Sequence, residues 1–190
     1  MFVYLAWADN SNNAISSLQT NNDSKQQEEC NKAANKIIGK GAQVLACGQL
    51  THSKGLEAFA VIRLKGFKEN KSGIPVSKFV ILRRDKADWI IELIADKKPL
   101  RNKVGYVGVY NIDPSEKDRY RISFSGGGPK SKDDFSLDVY YIDPDGQTEG
   151  WPLEIEWNPK VKRFQEYIPN EGFKPEIKNP KQITYKCCAH

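Results

Sequence analysis

Few side chains in this 190-residue sequence stand at spacings that carry chemistry. Glu154 and Glu156, in the stretch LEIEW, fall two positions apart. On a strand that places both carboxylates on one face about 7 Å apart, within reach of a glycosidase acid pair. Acids on alternate strand positions are more often its wet side, and the neighbouring residues supply no apolar pocket to raise a carboxyl pKa. The hydrolase reading, action on an extracellular polymer through Glu154 and Glu156, is therefore the alternative and not the lead. The run SGGGPKSK at 125–132 has the glycines and the Lys130-Ser131 pair of a phosphate loop. Pro129 precedes the lysine, however, and an alternating strand follows where a phosphate loop requires a helix, so a hairpin loop is expected. His52 and His190 are the two histidines, and no Gly-x-Ser-x-Gly elbow is present. Nucleophilic triads and transition-metal sites lack their usual parts, and neither cofactor nor metal is expected.

Four cysteines remain: Cys30, Cys47 and the adjacent Cys187 and Cys188. An even count in an oxidising compartment points to bridges, and Cys30 to Cys47 is the local pairing, worth about 3 kcal/mol by loop closure. The terminal pair either pins the tail or forms a redox-labile ring. The start of the chain agrees with such a compartment. MFVYLAWA is an apolar run ending in Ala6-Trp7-Ala8, a small-x-small pattern that precedes signal-peptidase cleavage, and a polar Asn/Ser stretch follows at once. Residues 1–8 are read as a signal-peptide remnant and the location as periplasmic or extracellular. No run approaches the ~20 apolar residues of a membrane helix.

Between the apolar runs AQVLA and AFAVIRL lies CGQLTHSKGLE, from Cys47 to Glu57. Its register resembles the calcium-binding loop of FG-GAP or VCBS-type repeats of secreted and integrin-like proteins, with Gly48, Gln49, Thr51, Ser53 and Glu57 in comparable places. VILRRDKADWIIEL and IEWNPKVKRFQEY resemble the hairpins that accompany such loops. The resemblance implies a strand-loop-strand unit of a secreted protein, with a calcium ion in the loop. Calcium takes roughly six to eight oxygens, several of them carboxylates. Gln49, Thr51 and Ser53 stand where that family carries acids, and Lys54 adds the wrong sign. A turn that keeps the geometry without the ion is expected.

These residues must be positioned by elements legible from periodicity. The chain is 39% hydrophobic and 28% charged, enough for one sizeable core. Its net charge of +5 arises from 29 basic and 24 acidic residues interspersed, which describes a solvated surface with a weak pull on anions and no specific nucleic-acid stripe. Residues 9–23 are polar and aperiodic and are read as a flexible leader. From Ser24, a capping-box arrangement with Gln27 opens a helix that places Cys30, Ala33, Ala34, Ile37 and Ile38 on one face and ends at Gly39 or Gly41. Alternating runs then follow: AQVLACGQL, LEAFAVIRL, KFVILRR, DWIIELIA, VGYVGVYNI, YRISF, FSLDVYYI, LEIEW and RFQEY. Leu153, Ile155 and Trp157 face inward, as do Phe135, Leu137, Val139 and Tyr141, whereas Tyr140 and Trp151 are left to solvent.

The expected fold is α+β or mainly β: one N-terminal helix on a twisted antiparallel sheet or sandwich of about eight strands, spanning 24–167 as one domain, with an extended tail over 168–190. Exposed Tyr140 and Trp151 are the candidate binding residues, since Tyr and Trp anchor protein partners. The expected function is a non-catalytic secreted or periplasmic binding or scaffold protein whose partner is another protein of the cell envelope.

Overall fold

A computed structural model describes residues 11–51, 55–96, 100–108, 119–128, 131–142 and 148–178. Helix α1 (Ser11–Ile38) precedes ten strands: β1 (Gln43–Gly48), β2 (Glu57–Arg63), β3 (Ile74–Asp85), β4 (Asp88–Ala95), β5 (Arg101–Asn102), β6 (Tyr120–Ser125), β7 (Ser136–Ile142), β8 (Thr148–Asn158), β9 (Arg163–Ile168) and β10 (Gly172–Phe173). All ladders are antiparallel and belong to one open sheet in the order β1-β2-β3-β6-β7-β8-β9-β10, with β4 and β5 branching from β3. The α+β, mainly-β architecture is the one the sequence pattern implies, with two more strands.

The branch at β3 gives the molecule its layers. Val76 to Arg83 pair with β2 on one edge of this strand. On the other edge, Ile74–Val76 pair with β6, while Phe79–Asp85 pair with β4. The sheet parts between those two stretches and β6–β9 curl over the face of β1–β4. Phe59 of β2 meets Phe124 and Phe135 across the gap with ring centroids 5.2 and 5.1 Å apart. The curl brings β5 to β9, where Asn102 Nδ2 donates to the Phe164 carbonyl at 3.0 Å.

Alternation then builds two cores from single strands. On β2, Phe59 and Val61 point between the layers; Ala58 and Ala60 point to the helix. The small side chains on that second face let α1 approach closely and seat Cys30, Ala33, Ala34 and Ile38 against Val80, Leu82 and Ile94. The inter-layer core holds the inward sets predicted for β7 and β8: Phe135, Leu137, Val139, Tyr141, Leu153 and Ile155 are all buried, and Trp157 packs at its margin.

Three expectations change. The helix starts at Ser11, so residues 11–23 are helical and not a leader, and Ser24 lies inside the helix instead of capping it. Once the apolar turns of 30–38 are anchored, adding helical residues no longer bears the cost of nucleation, and a polar run with no periodicity of its own can continue the helix. The strand expected at 104–112 is absent from its described part, 104–108, where Tyr106 makes isolated bridges to Arg101 and Ile177. Asn102 Oδ1 accepts the N–H groups of Val104 and Gly105 at 2.9 and 3.0 Å, which turns the chain there. The start of the tail is not simply extended over a surface: β10 adds to β9, and Lys174 N–H donates to Glu166 O at 2.8 Å.

The disulfide joins Cys30 of α1 to Cys47 of β1, with Cα atoms 6.3 Å apart and a sequence separation of 17. Cys187 and Cys188, and residues 1–8, lie outside the described residues. Among the described residues no helix is long and apolar enough to cross a membrane.

Candidate functional site

The loop between β1 and β2 is organised around Glu57, the first residue of β2. Its carboxylate is wholly buried and accepts from the Leu50 N–H at 2.7 Å, the Thr51 N–H at 2.8 Å and the Thr51 Oγ1–H at 2.7 Å. From the other side, Gly128 N–H donates to Gln49 O at 2.7 Å and Phe135 N–H to Leu50 O at 3.0 Å. Glu57, the acid of the calcium-like loop, is thus engaged with the protein's own N–H and O–H groups, and the carbonyls of Gln49 and Leu50 are bonded to backbone N–H groups. Thr51 is buried, Gln49 is exposed, and Ser53 lies outside the described residues.

The outer face of β6–β8 carries the other predicted residues. Val139 pairs with Leu153 and Tyr141 with Glu149, so Tyr140 alone stands opposite Gly150, Trp151 and Pro152. This is a bulge, and Pro152, having no N–H, cannot restore the ladder inside it. The extra backbone throws Trp151 outward to 88% exposure, far beyond any other large apolar side chain described; Tyr140 beside it is half-buried. The next position across, on β6, is Arg121, the Cα partner of Tyr140. Arg121 is only 3% exposed. Its Nη1 donates to the carbonyls of Lys68 at 2.9 Å and Gly73 at 3.2 Å, its Nε has no partner, and burial lowers its pKa. The sequence contains no signal for a buried arginine here, because an alternating strand gives Arg121 the same outward position as its soluble neighbours.

One and two rows further along the same face lie the acids. Asp138 pairs with Glu154, and Ser136 with Glu156; Ser123 Oγ donates to Asp138 Oδ2 at 3.3 Å. Glu154 and Glu156 are half-buried instead of freely exposed. Burial pushes the Glu156 carboxyl above its ordinary value of 4.5, and the charges of Glu154 and Asp138 push it the same way. This corrects the expectation that neither acid sits where its pKa would rise. The flanking strand and residues 131–134, absent from any local reading, lie beside it and remove water from one side. A groove of about 560 Å3 runs past Glu156 and Trp157, edged by Ser125, Lys132, Asp133 and Ser136.

The structure therefore sets Tyr140 opposite Trp151 in the bulge, with Glu154 one row and Glu156 two rows along the same face, while Glu57 and Thr51 are drawn into a separate, internally satisfied loop. No family model, no curated protein and no solved structure matches this chain.

Proposed function

We propose that this protein is a non-catalytic binding or scaffold module of the periplasm or exterior, docking another envelope protein on the outer face of β7 and β8. The observation that carries this reading is Trp151, which a bulge and a proline hold in solvent. Leaving an indole in water forfeits its burial energy, and aromatic anchors of this kind are the residues on which interfaces concentrate their affinity. Tyr140 extends the apolar surface, and the acids of the next row supply a charged rim that selects a partner with basic groups. The Cys30–Cys47 bridge suits an oxidising compartment. A photo-crosslinking side chain placed at position 151 and expressed in the native host is expected to capture one discrete partner. The same group at the exposed Lys160 of the β8–β9 turn is the comparison. Equal or absent capture at the two positions overturns the proposal.

A second reading is favoured by one observation, the raised Glu156 carboxyl beside the groove. A carboxylic acid that keeps its proton closer to neutrality next to an ionised neighbour is the arrangement a glycosidase uses. Hydrolysis of an envelope polysaccharide by the purified chain, lost in Glu156→Gln and retained in Trp151→Ala, would put the enzyme reading first.

A further inference from the structure

The positive excess of this chain is gathered at one end. Gly39, at φ 106° a conformation that suits glycine, stops α1, and the chain turns directly into β1. Gln43 there pairs with Val61, and Arg63 Nε donates to Gln43 Oε1 at 2.9 Å, so the helix end and the end of β2 meet. The β2–β3 loop leaves from the same end and is closed by Leu64 N–H donating to Pro75 O at 2.9 Å and by the Asn70–Gly73 bridge. Lys36, Lys40, Lys65, Lys68 and Lys71 are exposed here, and Lys78 is half-exposed. With Arg63 they make seven cations; among the described residues the acid of the β2–β3 loop, Glu69, is already paired to Arg63 at 3.2 Å. The whole chain is +5, so the remainder carries no net positive charge.

Arg121 adds to this end from below. It is buried, donates to two carbonyls of the β2–β3 loop, and among the described residues meets no carboxylate. A Cβ on Gly73 would come within 1.9 Å of Ile122 O, so the loop is pressed onto β6 and held there. The lysines are therefore presented by a loop fastened from beneath by an uncompensated cation, which leaves the region short of anions.

We infer that this end of the molecule is a docking surface for an anionic phospholipid bilayer. Three observations favour lipid over nucleic acid. The cations stand on a loop, a strand end and a helix terminus that can present them to a plane of phosphates, whereas nucleic-acid strands are tracked by basic grooves with stacking aromatics. Phe67, half-buried between Lys65 and Lys68, adds the apolar element that headgroup-level sites use. The disulfide, finally, belongs to compartments where membranes are at hand and nucleic acids are not. Exposed charges act over about 8 Å at physiological salt, so it is this local cluster and not the overall +5 that a membrane would feel.

The test is co-sedimentation of the full chain with vesicles of phosphatidylcholine alone and of phosphatidylcholine containing phosphatidylglycerol. Binding to the anionic vesicles only, weakened by added salt, is expected. Each lysine near the surface contributes about a fivefold factor in partition. The triple change Lys65→Glu, Lys68→Glu, Lys71→Glu is therefore expected to reduce binding at least about tenfold, with an unaltered circular dichroism spectrum. A matched triple change at Lys160, Lys162 and Lys174, away from this end, is expected to leave binding unchanged. Should the loop variant misfold, Lys36→Glu with Lys40→Glu serves the same purpose from the helix side. Equal binding to neutral vesicles, equal loss in the two triple variants, or tighter binding to a short DNA duplex than to vesicles at the same phosphate concentration would each overturn the inference.

Discussion

The β1–β2 loop and the β8 bulge are both places where a strand pattern breaks, and they have opposite fates. Around Glu57 the break turns inward: two backbone N–H groups and a hydroxyl converge on one buried carboxylate, and Gly128 and Phe135 supply donors for the carbonyls of Gln49 and Leu50. Around Trp151 the break turns outward, leaving an indole 88% exposed over a half-buried tyrosine. The contrast teaches that irregular backbone is not by itself a site. Where its polar groups are satisfied within the protein it is scaffold; where it holds a large apolar side chain in water, that side chain is the one on which the proposed docking role rests.

That contrast is broken most directly at Glu57. Glu57→Ala leaves buried donors on Leu50 and Thr51 unpaired, and a loss of about 4 kcal/mol in urea unfolding is expected. A change of less than about 1 kcal/mol would mean that the loop is held otherwise and that Glu57 is free for another role. Next in size is the covalent link that ties the same end of β1 to α1. Cys30→Ala with Cys47→Ala is expected to lower stability by about 3 kcal/mol with the sheet retained by circular dichroism.

The acidic row offers a smaller, pH-dependent effect. The Glu156 carboxyl is raised in the folded state, so folding takes up protons there and stability gains as pH falls through the folded pKa towards the unfolded value. Above that window the ionised group disfavours the fold. Glu156→Gln is therefore expected to raise the melting midpoint slightly near neutral pH, and the advantage over wild type is expected to vanish below the ordinary value of 4.5. A variant less stable than wild type at neutral pH would show that the ionised carboxylate is favoured by a contact. The smallest expected effect sharpens the comparison from the other side: Trp151→Ala should change unfolding free energy by no more than about 0.5 kcal/mol. A larger loss would make the indole part of the core cover instead of a docking anchor.

The strand alternation of this sequence was sufficient to assign which of Phe135, Leu137, Val139, Leu153 and Ile155 are inside, because a residue on a half-buried sheet has two choices and its own polarity makes them. Helical periodicity placed Cys30 on the inner face of α1, and closeness in sequence made Cys47 the local choice of partner, which is the pairing found. Local pattern was silent wherever burial was imposed from elsewhere. Glu92 occupies a bulge in β4, wholly buried, between Arg83 at 2.8 Å and Lys103 at 3.4 Å; nothing in DWIIELIA distinguishes it from a wet glutamate. The helical reach to Ser11 was likewise invisible, as residues 11–23 have no apolar period.

By itself, then, the sequence determined the element types over most of the chain, the inward sets of β7 and β8, the local pairing of Cys30 with Cys47, and Trp151 as an exposed aromatic. Those follow from period, polarity and spacing, which act over a few residues. Tertiary structure alone decided that β3 would branch and curl the sheet into two layers, that Glu57 would be consumed by its own loop, that Arg121 would be roofed by the β2–β3 loop, and that scattered lysines would converge at one end. These depend on contacts between residues distant in sequence, where burial and the field of neighbouring charges are set by chain segments that no local window contains.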